Sequence, residues 1–270
     1  MEIPASRWYS VIEKRRSRRS FEARPLESNH LMHIRSICND FSPFSDSHSV
    51  LVTEPPDKVF KGAIGPYGKI RGAPAFIAFI GNMENPNVQE QVGYMGEGII
   101  LEVEAMDLGT CWVALFNSKI VGSLTILEKH EQVLAIAAIG YVKNQESIEE
   151  RLVTGFGWTH KRKPLSHLVT GLDEVEYPQW IRAALEVARL APSAANRQPW
   201  RFYVDSGSIA ISVNSLRRNF GVSRRLDCGI AMLHIEVAAL NSGIDGNWEF
   251  LEQPYVAKYA AKTKVRLRGE

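Results

Sequence analysis

The chain has 270 residues, of which 45% are apolar and 23% charged, with a formal net charge of +2. That is the make-up of an ordinary globular protein with room for a substantial core, and so small an excess of positive charge argues against a general nucleic-acid surface. The longest apolar run, residues 133–142, is too short to span a membrane, and MEIPASRWYS lacks a secretory pattern, so the expectation is a cytoplasmic protein with neither membrane nor nucleic acid among its partners.

Three cysteines (Cys38, Cys111 and Cys228) are an odd number without metal-ligand spacing, and the economical reading is reduced thiols. A Cys111 nucleophile is the lesser alternative. Seven scattered histidines form no HxH or HxxxH pair, so no metal is expected.

In chain order, residues 6–16 and 28–39 read as helices, the second from the apolar spacing of Leu31, Ile34, Ile37 and Cys38. Residues 50–53 and 75–81 read as strands. Residues 89–106 form a long amphipathic helix interrupted by Gly93, Gly96 and Gly98, which cost helix stability and imply close approach of another backbone. Residues 111–116 are extended, 118–127 helical and 133–142 a buried strand, and the mixed segment 143–176 reads as a connector. The order then resumes with a helix at 180–190, strands at 201–205 and 209–213, and a helix at 229–239.

The two halves align. Gly93 pairs with Gly229 and Trp112 with Trp248 at one common offset, running GYMGEGIILEVEAMDLGTCW against GIAMLHIEVAALNSGIDGNW. Upstream the register shifts, and Ser42-Pro43-Phe44-Ser45 lies opposite Pro192-Ser193-Ala194-Ala195. An internal duplication with a shorter second copy is expected, dividing the chain into halves 1–165 and 166–270.

Two distant stretches carry complementary chemistry. Arg15-Arg16-Ser17-Arg18-Arg19-Ser20-Phe21 concentrates cationic and hydroxyl donors suited to a phosphate. Ala191-Pro192-Ser193-Ala194-Ala195-Asn196-Arg197-Gln198-Pro199-Trp200 is a small-residue turn with amide side chains and an aromatic wall, suited to a flat heteroaromatic ring. The bland reading of the first is a solvated basic helix end, and of the second a helix C-terminal turn.

At these residues the chain resembles the FMN-dependent nitroreductase family. The R-R-S-x-R-x-F pattern falls on Arg15, Arg16, Ser17, Arg19 and Phe21, and A-P-S-x-x-N-x-Q-P-W on 191–200. G-L-G-T-C-W-V falls on 107–113 with Asp107 in place of its first glycine, and K-R-K-P-L on 161–165. The resemblance is to the internally duplicated "putative TM nitroreductase" branch. It implies an α+β nitroreductase-like fold, central mostly antiparallel sheets flanked by helices, with the two halves forming a pseudo-dimer that is monomeric as a chain. The first copy has lost the P-S-x-x-N turn and the second has no R-R-S-x-R, so one composite FMN site between the halves is implied.

By that resemblance Arg15 and Ser17, within the run that includes Arg16, would take the FMN phosphate, with Arg162 and Lys161 closing from the other side. Arg19 would face the flavin N1/O2 edge, where a fixed cation stabilises charge gained on reduction. Pro192, Ser193, Ala194 and Asn196 would contact the ring and ribityl chain. Thr110, Cys111, Trp112 and Val113 would present backbone N–H groups to N5 and O4, and Lys69 is a weaker candidate for the pyrimidine edge. Trp112 reads equally as core, Glu97 as buried acid or surface carboxylate, and Gln198 and Trp200 as braces of the turn.

No catalytic side chain is implied, since the cofactor carries the chemistry. NAD(P)H would reduce FMN and a small acceptor, a nitroaromatic or quinone, would take the electrons in a ping-pong cycle. The alternatives are a relative that consumes its own reduced flavin with oxygen, and a degenerate flavin-binding or flavin-less scaffold without catalysis.

Overall fold

The computed structural model describes residues 1–55, 57–60, 70–143, 161–215 and 223–262. Helices α1 (Ala5–Ile12) and α2 (Ser28–Asp40) precede strands β1 (Ser47–Thr53) and β2 (Ala75–Asn82). The long α3 (Val88–Glu104) leads to β3 (Gly109–Val113), α4 (Ser118–Leu124) and β4 (Glu131–Gly140). After β5 (Val169–Gly171) come α5 (Gln179–Ala188), β6 (Trp200–Val204), β7 (Ser208–Val213), α6 (Arg224–Asn241), β8 (Gly246–Phe250) and β9 (Tyr255–Ala261).

The strands form two sheets, ordered β1-β2-β4-β3 and β5-β6-β7-β9-β8. Every pairing is antiparallel except β5 with β6. With β5 set aside, the two sheets share one strand order, and in each a long helix joins the second strand to the third. The fold is therefore mixed α+β with antiparallel sheets flanked by helices.

Helices α3 and α6 pack against each other at the centre. α3 is buried on every side from Glu90 to Val103, which marks a helix enclosed by protein rather than lying on a surface. Gly93 and Gly229 set the approach. A Cβ on Gly93 would collide with the Leu226 carbonyl oxygen, and a Cβ on Gly229 with that of Glu90. Each helix thus rests its backbone on the other at the equivalent position; of the three α3 glycines expected to permit a close backbone approach, Gly93 does so, whereas Gly96 faces the Trp112 side chain and Gly98 those of Phe41 and Trp8.

Several boundaries differ from the sequence reading. The first helix stops at Ile12 rather than 16, because the run from Ser17 is claimed by pairing: Ser17 bridges Thr110, Ser20 bridges Arg71, and Phe21 bridges Val142. The helix at 118 ends at Leu124, after which Thr125 is extended. β5, β8 and β9 have no counterpart in the sequence reading. β8 is a five-residue edge strand with Asn247 and Glu249 exposed, and β9 places Lys258 and several alanines where bulky apolar residues would have announced a strand. Within the connector, residues 165–167 and 174–176 form single 3-10 turns around β5.

Candidate functional site

Three segments converge. The Arg18 N–H donates to the Thr110 carbonyl at 2.8 Å, laying residues 17–18 against the open edge of β3, while Ser20 and Phe21 run on to Arg71 and Val142. Residues 161–163 bind the turn after α5: Arg162 Nη1 donates to Asn196 Oδ1 at 2.7 Å, Arg162 Nη2 to the Leu190 carbonyl at 3.0 Å, and the Lys163 N–H to Gln198 Oε1 at 2.8 Å. The first and second groups face one another through charge, since Arg15 and Arg16 both act on Arg162.

Arg162 is lowered to about 10, first by burial and then by repulsion from Arg15, Arg16 and Arg189. Arg15 Nη1 and Arg162 Nε are buried and have no hydrogen-bond partner among the described residues. Two partly unsatisfied guanidinium groups that repel each other are donors arranged for an anion.

The turn itself is built from strained backbone. Ala195, Asn196 and Gln198 all have positive φ (52°, 50° and 46°), a region non-glycine residues seldom occupy. Its hold is specific. Gln198 donates from Nε2 to the Lys161 carbonyl at 3.0 Å, so it braces the turn against 161–163. The Gln198 N–H donates to Ser193 Oγ at 3.0 Å, leaving the serine its own proton to donate. On the far side Asp227 accepts the Ala194 N–H at 3.1 Å and pairs with Arg197 at 2.6 Å. Burial pushes the Asp227 carboxyl up to about 6 against the pull of Arg197.

The other residues singled out from sequence fall as follows. Ser17 and Arg19 are half-buried beside β3, with Arg19 Nη1 donating to the Ser17 carbonyl at 3.4 Å. Arg16 is exposed, and its Nη1 folds back on the carbonyls of Glu13 and Arg15. Pro192 is buried, and Ser193, Ala194 and Asn196 are half-buried. Lys161 is exposed, and its carbonyl accepts from Asn196 Nδ2 at 3.0 Å. Lys69 lies outside the described residues.

One expectation about β3 is corrected. The Thr110 N–H is already given to Glu104 Oε1 at 3.0 Å, so it is not on offer to a ring. Of the two readings left open for Trp112, its side chain takes the core one: partly buried, it packs tilted against Phe79, fills the space left by Gly96 and donates to buried Glu97 at 2.7 Å. The Cys111 thiol is buried and raised by desolvation more than the nearby Arg19 and Arg15 lower it, which does not suit a nucleophile. The Val113 side chain is buried in the second, smaller apolar cluster.

Sequence reasoning missed the acids that hold the site together. Glu104 binds Thr110 through both N–H and Oγ1 and lies near Arg15, and Asp227 anchors the turn from the first turn of α6. Neither has a local motif; a carboxylate near an arginine-rich segment becomes visible only once α3 and α6 are placed.

The paired antiparallel sheets, the central helix pair and the cation-lined junction define a mixed α+β protein with the nitroreductase fold. The chain belongs to the family described as "Putative TM nitroreductase", whose model matches residues 7–239. A structure from Thermotoga maritima MSB8, described as a "putative nitroreductase", matches with a TM-score of 0.65 at 22% identity, covering 94% of this chain and 93% of that one. A nitroreductase family protein from Clostridium difficile 630 matches at 19% identity and a TM-score of 0.45, covering 59% of this chain and 94% of its own. A nitroreductase from Bacteroides fragilis with bound FMN matches at 12% identity and a TM-score of 0.42, covering 52% and 91%. No curated protein matches the sequence significantly. No helix among the described residues is long and apolar enough to cross a membrane.

Proposed function

We propose that the protein is an FMN-dependent oxidoreductase built as a pseudo-dimer, with halves 1–165 and 166–270 and one composite cofactor site. FMN, when bound, supplies two-electron transfer from NAD(P)H to a small acceptor such as a nitroaromatic or quinone in a ping-pong cycle. The observation that carries the reading is the pair of buried donors, Arg15 Nη1 and Arg162 Nε, that have no partner among the described residues and come from segments far apart in sequence.

The chain's residues fit the group. Arg15 and Arg162 hold the phosphate, with Ser17 beside Arg15, and Arg19 places a cation near the ring's pyrimidine edge. Asn196 spends both ends of its amide on Arg162 and on the Lys161 carbonyl, so in this reading it aims Arg162. Pro192, Ser193 and Ala194 form the wall against the ring, with Ser193 donating its hydroxyl proton. The backbone of residues 111–113 borders the ring from the first half. The cysteines are all unpaired and buried, which fits a reducing cytoplasm.

Duplication is supported by the shared strand order of the two sheets and the reciprocal seating of Gly93 and Gly229. The pseudo-symmetric counterpart of the turn supports a single site. Phe44 there packs its ring on Tyr94 (5.4 Å) and Phe250 (5.7 Å), and Glu236 accepts hydrogen bonds from Tyr94 Oη and Trp248 Nε1 at 2.6 and 2.7 Å.

The test is flavin stoichiometry, by acid release and chromatography, beside the mass in solution. One FMN per chain in a monomer, bleached by NAD(P)H, is expected. Two FMN per chain would overturn the single site, and no FMN at saturating concentration would overturn the flavin reading.

A further inference from the structure

Glu97 on α3 and His234 on α6 meet at the centre of the molecule, and both side chains are buried (0% and 1% exposed). His234 Nδ1 stands 2.9 Å from the Val187 carbonyl oxygen at the end of α5. A carbonyl only accepts, so Nδ1 carries a proton. His234 Nε2 stands 3.1 Å from Glu97 Oε1. With Nδ1 already protonated, a neutral imidazole presents a lone pair from Nε2, and a carboxylate likewise only accepts. Two facing acceptors at that distance require one more proton between them. The pair is therefore imidazolium with carboxylate or imidazole with carboxylic acid, and is neutral in total either way.

Its surroundings give that proton a consequence. Glu97 Oε2 accepts from Trp112 Nε1 at 2.7 Å, and Arg15 Nε lies 3.8 Å from Glu97 Oε1. The other charges nearby are Glu104, further along α3 and committed to Thr110, and Arg162 beyond Arg15. While the pair is neutral, it orients Arg15 without cancelling its charge. Loss of the shared proton would set a net negative charge beside Arg15 in a low-dielectric interior.

We propose that Glu97 and His234 are positioning residues that share one buried proton, which keeps the Arg15 charge available to the phosphate of the cofactor. The proposal rests on the flavin reading above and deepens it. A pair without that proton would repel the phosphate and weaken the hold on FMN.

The experiment measures FMN affinity by fluorescence quenching at one fixed pH for the wild-type protein and three variants. Glu97→Gln retains both hydrogen bonds, since the amide donates to His234 Nε2 and accepts from Trp112, and the pair stays neutral, so affinity should remain within about threefold of wild type. His234→Gln gives Glu97 a donor without the extra proton and leaves its charge beside Arg15, so affinity should fall about tenfold or more, and adding Glu97→Gln to it should restore binding. An unchanged affinity in His234→Gln, or no recovery in the double variant, overturns the proposal. Long-range proton–nitrogen spectra of the flavin-free protein labelled at histidine test the pair without the cofactor. His234 should show a protonated Nδ1 and, at pH 7, an Nε2 that is protonated or hydrogen-bonded; a free, unbonded Nε2 overturns the shared proton even if Glu97→Gln fails to fold. A wild-type protein that binds no FMN at any pH removes the flavin reading, and the spectra still decide the pair.

Discussion

Arg197 closes on Asp227 at 2.6 Å, and the same carboxyl group receives the Ala194 N–H, so one buried acid at the start of α6 fixes both ends of the strained turn. Burial raises Asp227 to about 6, above the ~3.9 of an unfolded chain. The folded state therefore binds this proton more tightly than the unfolded state. The residue's contribution to stability is complete below about pH 4 and is lost as pH climbs through about 6. The ion pair that orders the turn needs the charged form and develops over the same interval. FMN affinity should thus fall from pH 7 to pH 5 while the unfolding midpoint does not fall on this group's account. Asp227→Asn should flatten that part of the affinity profile; the phosphate's own titration near pH 6 is common to both proteins. Paired FMN titrations and denaturant melts at the two pH values check it, and an unaltered profile in the variant would remove Asp227 from the turn's control.

Gly93→Ala and Gly229→Ala should each destabilise the protein, because the added methyl meets a backbone carbonyl that no rotamer change can move. Overpacking costs about 1–3 kcal/mol, partly offset by up to ~1 kcal/mol of improved helix propensity. The two contacts are reciprocal, so their costs should be similar. The double variant should lose less than their sum, since the first substitution has already parted the helices. Denaturant midpoints of the three variants measure this.

The three glycines of α3 were legible as a close-approach surface because their cost in a helix demands a reason; Gly93 meets the backbone of α6, while Gly96 and Gly98 make room for the side chains of Trp112 and of Phe41 and Trp8. The Arg15 and Asn196 segments were legible because short motifs concentrate unusual chemistry. The acids behind them were not: Glu104, Asp227 and Glu97 read as ordinary helix residues until tertiary packing buries them beside arginines. β8 and β9 escaped because their alternation is short and carries alanine, asparagine and lysine where the neighbouring sheet decides the conformation. Trp112 shows the limit in the other direction, as a residue inside a cofactor motif whose side chain turns into the core.

Glu102 ties three helices together. It is buried, accepts from Trp8 Nε1 at 2.8 Å, lies 2.7 Å from His33 Nε2 and forms an ion pair with Arg7. Arg7 and His33 are half-exposed, so solvent screens their share, and the main cost of Glu102→Ala is the buried Trp8 N–H left without a partner. A loss of about 2–3 kcal/mol is expected. Glu102→Gln, which can still accept from Trp8, should lose clearly less in the same denaturant melt.

Arg162 offers the sharpest test of the phosphate cradle, because its interactions pull in opposite directions in the flavin-free protein. Replacing it by Met forfeits the bonds to Asn196 and the Leu190 carbonyl, but also removes a buried Nε without a partner among the described residues and the repulsion with Arg15, Arg16 and Arg189. Flavin-free stability should therefore change by no more than about 1 kcal/mol. A charge-assisted hydrogen bond to phosphate contributes about 1.5–3 kcal/mol, so FMN should bind roughly 10- to 150-fold more weakly. Riboflavin, which has the ring and ribityl chain but no phosphate, separates the two roles of the segment. The wild-type protein should prefer FMN to riboflavin, and Arg162→Met should lose most of that preference while holding riboflavin nearly as before. Equal losses for both ligands would place Arg162 as a brace of the Asn196 turn instead of a phosphate ligand.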